Sequence, residues 1–600
     1  MGLEYFHDRY VPDDGPEDAR ILFVGEAPGE QEYEQLKPFV GQSGDILMNV
    51  LGRNGVMRNE VRLANLSHHR PFNNKFEKLL KTPVLLTGVK DLYAHIEQHR
   101  PNVIAALGSW PLAFLTGKKG IKKWRGSILS YVNDETIKVI PTFHPAAVLR
   151  DRGLYPTFDR DIKRILEDSK FPEKRLPIRR YITDPRGLDL EEWTQRLCAS
   201  EFLAVDIETV KKSKFILCVG FAPSPEVGVC IVPTHHEGRR AIERILMSDA
   251  AKIFQFGTFD TLQLTDNQYT INDPKGAKHE RIYYWDTLIA QHSQASELPR
   301  SLEYLTSIYT REPYYKTEGR GTIPDDAKGW SAKVDKHALY EYNCKDVCTT
   351  YEIFEHQRAD ILAKRPDGRW ADKDLVESFD YSMSMLEVAN HISQAGLPID
   401  HERRQLLKQV LLEKWAQKQF ILDRMTGFET NVRSPKLKEI LYDKDKLGLP
   451  TRRNRDGTIT TDEDAIVSLI AFCKDKLESV VRSETKLEWN IKLAVCQTVL
   501  EIRGIRQVLS NYVMDRSGGV DRSGADGRIR STVKVGGTET WRWSMMKYVD
   551  GSGFNAQTLP RDPVEVAESR LTSVDGSLKL LSQLEAEPDE DEVEEEEDAA

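Results

Sequence analysis

Apolar runs alternating with helical stretches set the pattern of roughly the first 175 residues. Ile21-Leu-Phe-Val-Gly25, Val103-Ile-Ala-Ala-Leu-Gly108 and Lys138-Val-Ile-Pro141 read as strands, and a helix is predicted from about Ser43. That rhythm predicts an α/β layered domain. Residues 170 to 190, with Pro172, Pro177 and Pro185 among charges, read as a linker. Phe202-Leu-Ala-Val-Asp-Ile-Glu-Thr209 is an apolar run that ends in carboxylates, the pattern of a buried strand. Between about 376 and 560 the pattern is mostly helical, with long charged amphipathic stretches at 402–425 and 464–512. Glycine-rich loops near 517–527 and 551–553 interrupt its last part, and no internal repeat is visible.

Six hundred residues are too many for one core. The expected organisation is multidomain α/β, with parts at 1–175, 176–372 and 373–565 and an acidic tail at 566–600. Charged residues make up 30% and mean hydropathy is −0.50, so a soluble chain is expected. No apolar stretch reaches the roughly 18 to 20 residues that span a bilayer, so no membrane partner is expected. The first residues, Met-Gly-Leu-Glu-Tyr-Phe-His-Asp, lack the basic region and apolar core of a secretion signal. The seven cysteines form no CxxC pair, which suggests reduced thiols and a cytoplasmic location. The net charge is −10, but residues 585–598 alone hold eleven acids and no base. The rest of the chain is therefore near neutral and compatible with DNA, whereas the tail should repel itself into disorder.

Candidate chemistry starts with Asp206 and Glu208. Residues i and i+2 of a strand share one face. Asp260 follows in Phe259-Asp260, and Tyr342 and Asp346 stand four apart in a helical stretch, again on one face. Carboxylate oxygens suit Mg²⁺ or Mn²⁺. Two such ions about 4 Å apart stabilise the attacking and leaving oxygens of a phosphodiester displacement. A single Asp-x-Glu is equally a solvated strand end. The ordered set, however, resembles the DEDD-type 3′–5′ exonucleases of the subclass with tyrosine before the last aspartate. That resemblance implies an RNase H-like fold. Asp206, Glu208, Asp260 and Asp346 would hold two Mg²⁺ or Mn²⁺ ions, and Tyr342 would orient the attacking water. Trp285-Asp-Thr-Leu and Glu297-Leu-Pro-Arg-Ser-Leu-Glu-Tyr304 are phrases common in proofreading domains. The family usually has asparagine four residues before the second-motif aspartate, where this chain has Phe256.

Near the N-terminus, Gly25-Glu-Ala-Pro-Gly29 precedes Glu30, Glu32 and Lys37-Pro-Phe-Val-Gly41. Leu63-Ala-Asn65 and Thr142-Phe-His144-Pro-Ala-Ala-Val-Leu-Arg150 come later. Together these segments are similar to the uracil-DNA glycosylases, closest to the iron–sulfur branch. By that resemblance a base would leave the stack and enter a pocket. Glu26 or Glu32 would serve the water, Phe39 would stack, Asn65 would read the base edge and His144 would donate to the uracil oxygen. Arg150 would either fill the vacated stack or hold phosphate. The iron–sulfur branch uses four cysteines, and residues 1–197 contain none. His69, before Arg70-Pro71, stands where one ligand would be, so no iron–sulfur cluster is expected.

Leu386-Glu-Val-Ala-Asn390-His-Ile-Ser-Gln-Ala-Gly-Leu-Pro-Ile-Asp400 resembles the start of the thumb of family A DNA polymerases. Asn431-Val-Arg-Ser-Pro-Lys-Leu-Lys-Glu-Ile-Leu441, Leu447-Gly-Leu-Pro450, Thr460-Thr-Asp-Glu-Asp464 and Gly527-Arg-Ile-Arg-Ser-Thr532 continue the match. Thr538-Glu-Thr-Trp-Arg542-Trp-Ser544 and Asn555-Ala-Gln557-Thr-Leu-Pro560 complete it. These last segments cradle primer–template duplex in that family, which makes Arg542 and Gln557 candidate DNA contacts. Palm and fingers are not expected within these residues, because Asp575 lacks the strand of a palm carboxylate. Polymerisation by this chain alone is not expected.

The overall order resembles phage or bacterial family A polymerases with a glycosylase-like N-terminal domain. The expected function is a metal-dependent 3′–5′ proofreading exonuclease, forming the N-terminal part of a split or truncated polymerase. Its partners would be single-stranded DNA 3′ ends, primer–template DNA and a second chain carrying palm and fingers. Two alternatives stand beside it: a non-catalytic DNA-binding scaffold of a replication complex, and a uracil-excision enzyme fused to a nuclease.

Overall fold

A computed structural model describes residues 5–317, 335–454, 457–513, 526–553 and 555–558. The acidic tail, most of the 517–527 loop, Pro560 and Asp575 lie outside these described residues. The chain forms two compact units: residues up to Val388 with Val535–Arg542, and Ala389–Lys534 with the residues from Trp543 on.

The first unit holds two sheets. One is built from β1 (Ile21–Gly25), β2 (Arg62–Asn65), β3 (Val103–Leu107), β4 (Leu129–Tyr131) and β5 (Asp134–Thr142), in the order β2-β1-β3-β5-β4. All neighbours are parallel except β4 and β5. Every residue of β1 and β3 is buried, because helices cover both faces. Alternate residues feed separate cores. Ile21 and Phe23 pack with Leu47, Phe158 and Ile162, while Leu22 and Val24 pack with Leu92, Ile96 and Leu112.

The other sheet comprises β6 (Arg180–Thr183), β7 (Phe202–Thr209), β8 (Ile216–Ser224), β9 (Val227–Ile231), β10 (Ala251–Phe254) and β11 (Trp285–Asp286). Its order is β11-β10-β7-β8-β9-β6. The β7–β8 and β8–β9 pairs are antiparallel and the rest parallel, giving a mixed sheet. The 26-residue helix Lys336–Ile361 packs on it. Close approach is possible because Gly220 of β8 has no side chain: a Cβ there would collide with the amide of Asn343.

Residues 170–190 correct the linker expectation. They contain β6, which pairs with β9, and the start of the helix Gly187–Cys198. Polar contacts also tie the helices and loops around the two sheets of this unit. Arg125 pairs with Asp161 and donates to Ser307 Oγ (2.7 Å), and Arg311 pairs with Asp168. Thr157 and Tyr304 hydroxyls meet at 3.1 Å.

In the second unit, the helices His401–Thr426, Lys436–Tyr442, Glu463–Ser479 and Ser483–Val508 enclose a core of Leu422, Leu441, Leu469, Val499 and their neighbours. The long amphipathic stretch predicted at 464–512 is therefore two helices and a final π turn, Leu509–Val513. The break falls at Val480-Val481-Arg482, where adjacent β-branched residues favour extended backbone. Lys418 and Glu501 form a fully buried ion pair at 2.9 Å.

Candidate functional site

β7 carries Asp206 and Glu208 toward the helix Lys336–Ile361, which carries Tyr342, Asn343 and Asp346. Carboxylate oxygens of Asp206, Glu208 and Asp346 all lie within 4.8 Å of one another. Asp260 stands beside this trio, in the first turn of the helix Gly257–Asp266, and its Oδ1 accepts the Ile207 N–H at 3.1 Å. Asp286 builds that helix start. Its carboxylate accepts from the N–H groups of Phe256 (3.2 Å), Gly257 (2.9 Å) and Leu288 (2.9 Å) and from Tyr283 Oη (2.8 Å). Phe256, where the exonuclease family has asparagine, caps the same helix in a left-handed conformation (φ 58°).

Three side chains near the trio escaped sequence reasoning. Lys316 Nζ lies 2.6 Å from both oxygens of Asp346 and 3.0 Å from Tyr342 Oη. Tyr315 Oη donates to Asp346 Oδ1 at 2.6 Å. Asn343 Nδ2 donates to Asp206 Oδ2 at 2.8 Å. Asn343 was findable as a neighbour of Tyr342 on the same helix. Lys316 sits in Arg311-Glu-Pro-Tyr-Tyr-Lys316, a stretch without periodicity or motif.

Crowding of carboxyls in low dielectric governs the electrostatics. Burial, and then the Asp346 charge, pushes Asp206 up to about 7, against relief from Lys316 and the Asn343 hydrogen bond. Burial and the Asp206 charge raise Glu208 and Asp260 well above the usual carboxylate range. Burial and the Asp346, Glu208 and Asp206 charges raise Tyr342, so its phenol stays neutral. The donor set fits a hard divalent cation: three carboxylates converge, and the Lys316 ammonium already pairs with one of them.

The other predicted pocket lies at the carboxyl ends of β1, β2 and β5. A Cβ at Gly25 would collide with Asn65 Oδ1 and the Phe39 ring, and one at Gly108 would crowd Glu26 Oε1 and His144. Phe39, Asn65, Glu26 and His144 are thus gathered around two glycines. Of the two glutamates, Glu32 is occupied: its oxygens accept from the N–H groups of Gly29 and Phe39 and fold the loop. Glu26 faces the pocket. Burial pushes it up to about 7, against a hydrogen bond from the Trp110 backbone and the Arg150 charge. His144 Nδ1 accepts from the Ala146 N–H at 3.1 Å, and burial holds the ring down to about 4. The neutral ring therefore carries its proton on Nε2. Arg150 is exposed at the end of the helix Pro145–Arg150.

Residues 12–170 match the Uracil DNA glycosylase superfamily model. A type-4 uracil-DNA glycosylase of Thermotoga maritima is 41% identical over 146 residues, 24% of this chain and 73% of that protein. Through this segment the chain belongs to the uracil-DNA glycosylase superfamily. A DNA polymerase of Bacillus phage SP01 is 29% identical over 222 residues, 36% of this chain but only 23% of that protein. Among solved structures, the POL domain of Pol1 from M. smegmatis, in complex with DNA primer-template and dNTP, aligns with a TM-score of 0.42. It is 16% identical and covers 65% of this chain and 57% of that one.

The uracil-DNA glycosylase segment contains no cysteine, so its residues do not fit an iron–sulfur cluster. Rings and backbone occupy the neighbourhood of His69 instead. Phe6 and His69 meet edge-on at 5.4 Å, Tyr10 stacks on His68 at 4.5 Å and His7 meets Phe72 at 4.5 Å. His7 N–H donates to Arg70 O, and Val11 N–H donates to His68 O.

Of the candidate DNA contacts in the polymerase-like segments, Arg542 is exposed, and its backbone N–H donates to Thr538 Oγ1 at 3.0 Å. The Gln557 amide is engaged at both ends: Oε1 accepts the Met545 N–H (3.1 Å) and Nε2 donates to Trp543 O (3.0 Å). Among the described residues, no helix is long and apolar enough to cross a membrane.

Proposed function

We propose that this chain is a DNA-processing enzyme that removes nucleotides from 3′ ends at the Asp206–Glu208–Asp346 cleft and recognises uracil in the glycosylase pocket. The observation that carries the nuclease is the convergence of those three carboxylates within 4.8 Å, with Asp260 and Tyr342 beside them. When bound, Mg²⁺ or Mn²⁺ would polarise the scissile phosphate and neutralise the charge that builds there. Asp206, Glu208, Asp260 and Asp346 would hold the ions. Tyr342, a neutral phenol, would orient the attacking water through its hydroxyl. Asn343 keeps Asp206 aimed into the cleft, and Asp286 keeps the Asp260 helix in place. Phe259, half-buried beside Asp260, would stack on the terminal base of a single strand.

The second activity, uracil excision, is favoured by the pocket chemistry and by relatives named as type-4 uracil-DNA glycosylases. Glu26 as carboxylate would hold water against the sugar cation, while the His144 Nε2–H donates to the base oxygen as negative charge develops there. Asn65 would bond the base edge and Phe39 would stack on it. The likeness to a phage DNA polymerase supports a setting in DNA replication. There the helical second unit would grip primer–template duplex through the segments that resemble the thumb of family A polymerases.

One assay tests both sites. The chain is incubated with an end-labelled oligonucleotide containing one uracil, in Mg²⁺ or in EDTA. Stepwise loss from the 3′ end in Mg²⁺ alone supports the nuclease, and alkali-labile breaks that persist in EDTA support excision. DNA binding with neither product would reject both activities.

A further inference from the structure

Lys316 is a cation inside a cleft built to hold cations. Its ammonium lies 2.6 Å from both oxygens of Asp346 and 3.0 Å from Tyr342 Oη. Its side chain is only 9% exposed and that of Asp346 only 6%. Asp346 Oδ1 already accepts from Tyr315 Oη at 2.6 Å as well as from Lys316. Tyr315 and Lys316 fill both lone pairs of Oδ1 and Lys316 takes one of Oδ2, so an ion added at the remaining site would stand within a few ångströms of the ammonium and be repelled by it until Lys316 moves. The four-carbon lysine stem makes such a move easy, and the ammonium is a compact point charge that a divalent ion can replace.

We propose that Lys316 is a positioning residue that occupies a divalent-cation position at Asp346 in the resting cleft and yields it when an ion binds. The proposal rests on the nuclease reading of the cleft. In the ion-free protein Lys316 offsets the crowded carboxylates and holds the Tyr342 hydroxyl in register. In the loaded protein Asp346 and Tyr342 are released to the ion and the water. Lys316 thereby raises the ion concentration at which the cleft fills.

Mn²⁺ binding to the full chain, counted by electron paramagnetic resonance of the free ion, tests this. Lys316→Met keeps the stem and removes the charge. Its dissociation constant for Mn²⁺ should fall by roughly tenfold relative to the native chain. An equal or weaker affinity would overturn the proposal. Asp206→Ala separates the two levels. If it loses Mn²⁺ binding while Lys316→Met binds no tighter than native, the cleft holds ions and only the Lys316 proposal fails. If it binds Mn²⁺ as the native chain does, the nuclease reading fails and takes this proposal with it. Should Lys316→Met not fold, acetylation of the native chain read by mass spectrometry replaces it. Lys316 should be modified several-fold faster with Mn²⁺ than without, and an unchanged rate would overturn the proposal.

Discussion

Tyr342 shows how one side chain can be poised by its surroundings. Three carboxylates and burial keep its phenol protonated, and Lys316 fixes its oxygen at 3.0 Å. Tyr342→Phe should therefore lower the rate of 3′ nucleotide release by about 10²-fold while leaving the affinity for DNA unchanged. Single-turnover kinetics on a labelled strand would show it, and a native rate would remove Tyr342 from the mechanism. Glu26 makes a prediction in pH. Its carboxyl is held up to about 7, and only the ionised form can stabilise a sugar cation. Uracil release should rise as pH climbs through 7 and level off above it, and a profile flat from pH 5.5 to 8.5 would contradict the role. Such residues differ in how far sequence exposes them. Asp206 and Glu208 follow from strand alternation, and Tyr342 and Asp346 from helix spacing. The choice between Glu26 and Glu32 needed the fold, because only there do the Gly29 and Phe39 N–H groups claim Glu32. Lys316 had no local signal at all, since its partners lie about 30 residues away on another element.

Secondary elements were readable where burial is one-sided or complete. β1, β3 and β7 announce themselves as apolar runs, and they carry or flank both sites. β6 did not, because it is an edge strand with partly exposed residues set between prolines, which reads as a linker. The ties between the helices and loops around the two sheets were equally hidden, being made by polar side chains far apart in sequence. Arg125 is the clearest: it is 3% exposed, paired with Asp161 and bonded to Ser307. Asp161→Ala would strand that guanidinium without its counter-ion and should cost about 3–5 kcal/mol. An earlier urea transition of the variant, followed by circular dichroism, would register the loss, whereas an unshifted transition would show that the pair contributes little.

Across the whole molecule, the proposed metal cleft should link stability to pH and to metal. Asp206 has a folded value of about 7 against an ordinary 3.8. A carboxyl raised in the folded state contributes stability that is complete below its unfolded value and is lost as pH rises through its folded one. Without metal the cleft should therefore destabilise the protein progressively from about pH 4 to about pH 7. A divalent ion that binds only the folded, ionised cleft reverses this by mass action. The rise in melting temperature on adding Mg²⁺ should be larger at pH 8 than at pH 5, and Asp206→Asn should shrink the difference; equal shifts at both pH values would contradict the linkage. The proposed excision chemistry uses Glu26 and His144 and no metal, so base excision should persist in EDTA. Most direct of all is the fate of a primed DNA strand given to Asp206→Ala in Mg²⁺. The cleft assignment predicts that this variant binds the DNA as the native chain does and leaves its 3′ end intact; continued stepwise shortening of that strand would contradict it.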